Sequence, residues 1–169
     1  MTLPEPVRLS PALSFLPKPI REPRRAWLAV LVGWLTAIIP SLLLAALVSR
    51  LFPQLPGPKF DMDPVISFIA IVIVSPLIET LIMAGVLSVL LRLMPASAAI
   101  LVSAVGWGLA HSSIAPAWGL VIWWPFLVFS TLFVVWRKRS LAAAIAIPAT
   151  VHALQNLGPA VMISAGLAS

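Results

Sequence analysis

Four polar side chains stand out in the apolar stretches of the sequence. Glu79 is the one acidic residue inside an apolar run, and the two histidines of the chain, His111 and His152, lie in two other runs. Asn156 follows His152 by four residues, so on a helix the two side chains project from the same face. Groups of these types can exchange protons, bind a metal ion or hydrogen-bond to one another. They form a candidate site if their helices bring them together.

The composition indicates whether the chain folds in water or in a lipid membrane. Of its 169 residues, 61% are apolar and 9% are charged, whereas a soluble domain has about 45–50% and about 25%. So few charges cannot cover a globular surface in water, and lipid is the favoured surrounding. The chain has no cysteine, which excludes a disulfide framework, a thiolate metal site and a cysteine nucleophile. The net charge of +6 comes from basic residues at the ends of apolar runs, so we expect a membrane topology signal and no nucleic-acid partner.

Five apolar runs are long enough to be membrane-spanning helices, which need about 20 residues. They cover residues 26–49, 65–91, 96–115, 117–136 and 140–157. The alternating ten-residue pattern of a membrane β-barrel does not occur. The sequence therefore predicts an all-α membrane protein, a polytopic bundle of about five transmembrane helices.

The same runs divide the chain into four segments. Residues 1–25 hold six prolines and end in arginines, and because proline interrupts helices we expect a mobile, basic cytoplasmic tail. Residues 26–49 form an extra N-terminal transmembrane helix, and residues 64–158 form the core. We expect Pro159 to end the last helix, which leaves residues 159–169 as a C-terminal tail.

Helix lengths place the three ionisable groups at similar depths. Glu79 lies 12 residues before the end of its run and His152 lies 12 residues after the start of its run, about 18 Å at roughly 1.5 Å per residue. His111 lies 15 residues into its run, which is about 23 Å. An ionised group at the bilayer centre costs at least about 2.5–3.5 kcal/mol, so these groups should face one another rather than lipid. Interhelical hydrogen bonds that only hold the bundle together are the structural alternative.

Three motifs, in this order, resemble the CPBP family of intramembrane proteases. That family includes type II CAAX prenyl endopeptidases and Abi-like proteins for bacteriocin processing or self-immunity. Residues 76–85 read PLIETLIMAG, where the family typically has P-x-x-E-E-x-x-x-R-G. Residues 107–111 read WGLAH for F-G-x-x-H, and residues 152–156 read HALQN for H-x-x-x-N. The resemblance covers residues 64–158 and implies a four-helix catalytic core.

The first motif departs from the family at two positions that lie one helical turn apart. The second Glu of the family pair is Thr80 here, and the Arg is Ala84. Losing one partner of a buried ion pair costs about 3–5 kcal/mol, whereas losing both is often neutral. We interpret the double change as the removal of a structural pair that leaves Glu79 in place. In the second motif, Trp107 keeps an aromatic side chain.

The resemblance implies peptide-bond hydrolysis inside or at the edge of the membrane. It implies that Glu79 acts as general base toward a water that His111 holds and polarises. It also implies that His152 and Asn156 donate hydrogen bonds to the oxyanion. The expected partners are membrane lipid and a membrane-bound protein or peptide substrate, and no metal or other cofactor is required.

Three alternatives use the same residues. Glu79, His111 and His152 form a known type of zinc ligand set with water in the fourth position, although no second intramembrane carboxylate would then remain as base. A catalytically inactive membrane scaffold or immunity-type protein would fit Thr80 and Ala84. A proton-linked transporter subunit could use the three groups as a relay, but the chain has no internal repeat.

The basic residues predict the orientation. With the N-terminus in the cytoplasm, only Arg50 and Lys59 lie outside. The remaining basic residues then lie inside, namely Arg8, Lys18, Arg21, Arg24, Arg25, Arg92, Arg137, Lys138 and Arg139. Short loops rich in Lys and Arg stay in the cytoplasm. We therefore expect an integral protein of the bacterial plasma (inner) membrane, with its N-terminus cytoplasmic and its C-terminus outside.

This orientation can be checked with a reporter fused after Ser169. A periplasmically active enzyme should be active at that position, and a cytoplasm-dependent fluorescent protein should not. The same pair of reporters fused before Met1 is the control, and it should give the reverse result. A cytoplasmic C-terminus would contradict the five-span arrangement.

Overall fold

A computed structural model describes residue 7, residues 9–58 and residues 63–165 of the chain. Arg8, Lys59 and the last four residues of the predicted C-terminal tail lie outside the described residues.

The described chain is a series of helices. A 3-10 turn at Pro11–Leu13 is followed by α1 (Lys18–Arg21), α2 (Ala26–Leu51), α3 (Pro64–Ile69), α4 (Ser75–Leu93), α5 (Ala96–Ser112), α6 (Pro116–Trp136) and α7 (Leu141–Ser164). A π-helical turn, Ala70–Val74, joins α3 to α4, so the two run as one apolar helix of 30 residues. The part of the chain that the structure describes contains no strand. The predicted all-α membrane bundle is confirmed.

Four of the five predicted spans have the length and hydropathy to cross a membrane: α2, the joined α3–α4, α6 and α7. Helix α5 has 17 residues, about 25 Å of rise at 1.5 Å per residue, which is less than the roughly 30 Å of a bilayer's hydrocarbon core. It ends at Ser112 rather than at residue 115 because Pro116 opens α6, and the residue before a proline is driven out of the helical region. Ala115 is accordingly extended, with φ −148° and ψ 111°.

Helix α6 is the centre of the bundle. From Pro125 to Trp136 every residue is buried, because α2, α5 and α7 pack around it. Helix α2 presents buried small residues at every fourth position: Ala29, Gly33, Ala37 and Ser41. Small residues at this spacing let helix backbones approach closely, which is the usual mode of packing where lipid supplies no hydrophobic drive.

The N-terminal segment differs from its prediction. Its described part, residues 9–25, was expected to belong to a mobile tail, but it is packed on the core. Leu13, Leu16 and Ile20 are at most 1% exposed, and the Ser10 N–H donates to Ser97 Oγ at 2.7 Å. Prolines prevent one long helix but allow the 3-10 turn and α1, and the segment that contains them buries three apolar side chains.

The end of α7 also differs from its prediction. Pro159 does not break the helix, which continues to Ser164 with Pro148 and Pro159 inside it. In an apolar surrounding an ended helix would expose several backbone groups at once, whereas a proline frees only one carbonyl. The Ser164 hydroxyl then donates to the Pro64 carbonyl at 3.0 Å, which joins the end of α7 to the start of α3.

Helix α2 contains a proline whose missing donor is replaced from another helix. Pro40 lacks the N–H that would bond to the Thr36 carbonyl four residues earlier. The Trp124 indole N–H on α6 donates to that carbonyl at 2.8 Å. A side chain of one helix thus completes the backbone hydrogen bonding of another.

The close contact between α5 and α6 gives a testable prediction. A Cβ at Gly119 would collide with Ser112 Oγ and with the Gly108 carbonyl oxygen. We expect Gly119→Ala to destabilise the protein by about 1–3 kcal/mol or more, as overpacking does, measured by thermal unfolding in detergent. Gly106→Ala on α5 is the matched control, since nothing lies within 4 Å of its Cβ position. Equal stability of the two variants would contradict the proposed contact.

Candidate active site

Three helices bring Glu79, His111 and His152 together. Glu79 comes from α4, His111 from α5 and His152 from α7. Glu79 Oε2 lies 3.7 Å from His111 Nε2 and 3.9 Å from His152 Nε2. All three side chains are largely enclosed, with exposed fractions of 19%, 9% and 5%. The two imidazoles therefore face the same carboxylate oxygen.

The two oxygens of the Glu79 carboxylate have different surroundings. Oε1 accepts a hydrogen bond from the hydroxyl of Ser75, one turn earlier on the same helix. Oε2 is buried and has no hydrogen-bond partner among the described residues. Since buried carboxylate oxygens are normally hydrogen-bonded, Oε2 has unused acceptor capacity.

A backbone hydrogen bond sets the tautomer of His111. Its Nδ1 lies 2.9 Å from the Trp107 carbonyl oxygen, which can only accept, so Nδ1 carries the hydrogen. In the neutral ring, Nε2 then has the lone pair. His111 therefore presents an acceptor toward the region in front of Glu79 Oε2.

Aromatic rings hold both imidazoles in place. Phe126 lies between them, with ring centroids 5.7 Å from His111 and 5.3 Å from His152. Phe129 stacks on His152 at 4.7 Å, and Trp118 meets His111 edge-on at 4.6 Å. The rings limit rotation of the imidazoles and exclude bulk water from their sides.

The second motif keeps the aromatic wall that the sequence predicts. Trp107 stacks on Phe126 with centroids 4.3 Å apart and an interplanar angle of 12°. It also supplies the carbonyl that binds His111. Trp107 therefore contributes to the site through its indole ring and through its backbone carbonyl.

Asn156 has a different neighbour from the other three predicted site residues. Its amide nitrogen donates to the Ile71 carbonyl oxygen at 3.0 Å, in the π-helical turn before α4. Its amide carries a second hydrogen, so the predicted contact with the oxyanion stays a prediction.

The two departures from the family motif both point inward. Thr80 is 0% exposed and Ala84 is 7% exposed. The Thr80 hydroxyl oxygen has no hydrogen-bond partner among the described residues. Uncharged side chains thus fill the positions where the family pattern has a charged pair.

Sequence reasoning missed four residues that shape the site. Ser75 could have been found, because it lies four residues before Glu79 and so projects from the same helix face. Phe126, Phe129 and Trp118 give no such signal, because their contacts depend on how α6 packs against α5 and α7.

A comparison with protein families identifies the family of the chain. The model of the type II CAAX prenyl endopeptidase Rce1-like family matches residues 61–158, more than half of the chain. The chain belongs to this Rce1-like family. The match includes all four predicted site residues and the three motifs, so the resemblance found in the sequence is confirmed. Membership indicates a CAAX-protease-like endopeptidase, and with the apolar helices it identifies an integral membrane protein.

The other comparisons add no relative. No curated protein and no solved structure matches the chain significantly.

The zinc alternative would use the same three ionisable side chains. Within residues 9–58 and 63–165, no group of three or more His, Asp or Glu side chains is arranged to hold a metal ion. The expectation that the reaction needs no metal stays a prediction.

Proposed function

We propose that this chain is an intramembrane endopeptidase that uses a water activated by Glu79 to hydrolyse a peptide bond in a membrane-associated protein or peptide. One observation carries the proposal: Glu79 Oε2 is buried, lacks a partner among the described residues and faces Nε2 of two histidines. Separations of 3.7 and 3.9 Å are too long for direct hydrogen bonds, but one water can lie about 2.8 Å from both atoms of either pair.

The chemistry follows from which atoms are free. The Ser75 hydroxyl donates to Oε1, which leaves Oε2 to take the proton from the water. As the proton is transferred, the oxygen of the water bonds to the scissile carbonyl carbon. The carbonyl oxygen becomes an oxyanion. When the intermediate collapses, the C–N bond breaks and Glu79 returns the proton to the leaving nitrogen. No covalent enzyme intermediate is needed.

The two histidines have separate roles in this proposal. His111 accepts from the water through Nε2, because Nδ1 is bound to the Trp107 carbonyl. His152 donates to the oxyanion through Nε2. Its Nδ1 is buried with no described partner, and because a buried N–H without an acceptor is rarer than a free lone pair, the hydrogen belongs on Nε2.

Substrate and location are part of the proposal. The substrate reaches the site as a membrane-bound protein or peptide, and membrane lipid surrounds the apolar helices. The protein lies in the bacterial plasma (inner) membrane with its N-terminus cytoplasmic. The hydrogen bond from Ser10 to Ser97 supports this orientation, since it puts the basic N-terminal segment beside the start of α5, at the same end as Arg92.

One observation favours a second candidate, an inactive scaffold or immunity-type protein. Thr80 and Ala84 are buried and uncharged where the family pattern has an ion pair. If those charges contact substrate in active relatives, this chain would keep the fold without the turnover. One experiment distinguishes this inactive candidate from the active endopeptidase.

That experiment is Glu79→Gln, because Gln keeps the shape of the side chain but cannot take a proton. We expect cleavage to fall by about 10²–10⁴-fold or more, the range of general acid–base catalysis, with a thermal unfolding temperature close to that of the wild type. Cleavage is measured by mass spectrometry on membrane-anchored peptides, including prenylated CAAX peptides, in detergent and in liposomes.

Glu22→Gln is the matched control, since Glu22 pairs with Arg24 at the surface and far along the chain from the site. It should cleave as the wild type does. Unimpaired cleavage by Glu79→Gln would contradict the proposal, and a wild type that cleaves none of the peptides would favour the inactive candidate.

Chelation tests the role of Glu79 as base rather than ligand. We expect cleavage to survive exhaustive treatment with EDTA and 1,10-phenanthroline, because the chain has no other intramembrane carboxylate to act as base. Activity that is lost on chelation and restored by zinc would instead make Glu79, His111 and His152 metal ligands.

A further inference from the structure

The helix that carries Glu79 is irregular just before the site. Between α3 and α4, the Ser75 N–H bonds to the Ala70 carbonyl, five residues back, as in a π-helix rather than an α-helix. The next residue is Pro76, which has no N–H. In the same π-helical pattern, a backbone N–H at position 76 would donate to the Ile71 carbonyl, five residues back. This carbonyl is therefore left without a backbone donor.

Asn156 replaces the missing donor. Its amide nitrogen donates to the Ile71 carbonyl oxygen at 3.0 Å from α7. The arrangement parallels Trp124, which donates to the Thr36 carbonyl that Pro40 leaves free in α2. In an apolar surrounding, such a carbonyl must find a side-chain donor.

The register of this turn affects where Glu79 points. A π turn inserts one residue into a helix, and one residue corresponds to about 100° of rotation. If the turn relaxed to α-helical spacing, α4 would rotate relative to α3, which packs on α7. Ser75, which binds Glu79 Oε1, sits at the end of the turn. The position of the carboxylate thus depends on the turn.

We infer that Asn156 is a positioning residue for Glu79: its amide takes the place of the backbone donor that Pro76 lacks, and so holds the π turn in the register that directs Glu79 at His111 and His152. The inference rests on the proposed function for its catalytic consequence, but the hydrogen bond can be tested without turnover. It differs from an oxyanion role, in which Asn156 would act on the substrate and not on Ile71.

A double-mutant cycle with Pro76 separates the two roles. Asn156→Ala should speed amide hydrogen exchange in peptides covering residues 64–80 by about tenfold, because local opening becomes easier. It should lower kcat by about 10²-fold, the cost of misplacing a catalytic group by about 1 Å, with KM nearly unchanged. Pro76→Ala restores a backbone N–H, so in the Asn156→Ala background it should recover at least about tenfold of both losses. Pro76→Ala alone should lower kcat less than Asn156→Ala does.

Trp124→Phe is the matched control. It removes the indole donor to the Thr36 carbonyl in α2, which Pro40 leaves without a backbone donor. Amide exchange around Thr36 should rise, while kcat and the exchange of residues 64–80 should stay at wild-type values. The inference would be overturned, and an oxyanion role favoured, if adding Pro76→Ala to Asn156→Ala failed to slow the amide exchange or failed to raise the turnover. Cleavage by Glu79→Gln would instead refute the proposed function, and the exchange measurements would still decide the role of Asn156.

Discussion

A buried backbone carbonyl needs a hydrogen-bond donor, and in this chain the prolines inside the helices make that requirement important. Each proline inside a helix frees a carbonyl that lipid cannot hydrate, at a cost of several kcal/mol if nothing replaces the donor. Two such carbonyls are satisfied by side chains of other helices, Thr36 by Trp124 and Ile71 by Asn156. These hydrogen bonds tie α2 to α6, and the π turn before α4 to α7. Prolines that would weaken isolated helices thus specify how the helices associate.

A related constraint applies to the buried carboxylate of Glu79. Ionising a group in hydrocarbon is costly, and Ser75 on the same helix reduces that cost for Glu79 by donating a hydrogen bond to Oε1. The remaining acceptor, Oε2, is the one that the proposed reaction uses. A fully satisfied carboxylate would be more stable but could not accept a proton from water. An oxygen without a hydrogen-bond partner among the described residues thus lies where the proposed chemistry would occur.

The sequence predicted the helices and the meeting of Glu79 with both histidines, because apolar length and the cost of lone charges in lipid are properties that residue types reveal. It failed where the outcome depends on packing. The prolines predicted a mobile N-terminal tail, but the segment packs on the core because it buries Leu16. They also predicted a break at Pro159, but α7 continues because this keeps its backbone hydrogen-bonded. The aromatic contacts of Phe126 could not be predicted, since no spacing rule relates α6 to α5 and α7.

Helix α2 lies outside the matched family region, yet it packs on α6 and α7. A Cβ built at Gly33 would lie 3.2 Å from Leu132 on α6 and 3.3 Å from Val151 on α7, the residue before His152. On α6, Leu132 is one turn from Phe129, whose ring stacks on His152. Because packed interiors transmit small displacements, a change at Gly33 would act on the helix that carries His152 and on the helix whose Phe129 ring stacks on it. The close fit at Gly33 therefore makes the N-terminal helix part of the packing around the helices that carry His152 and Phe129.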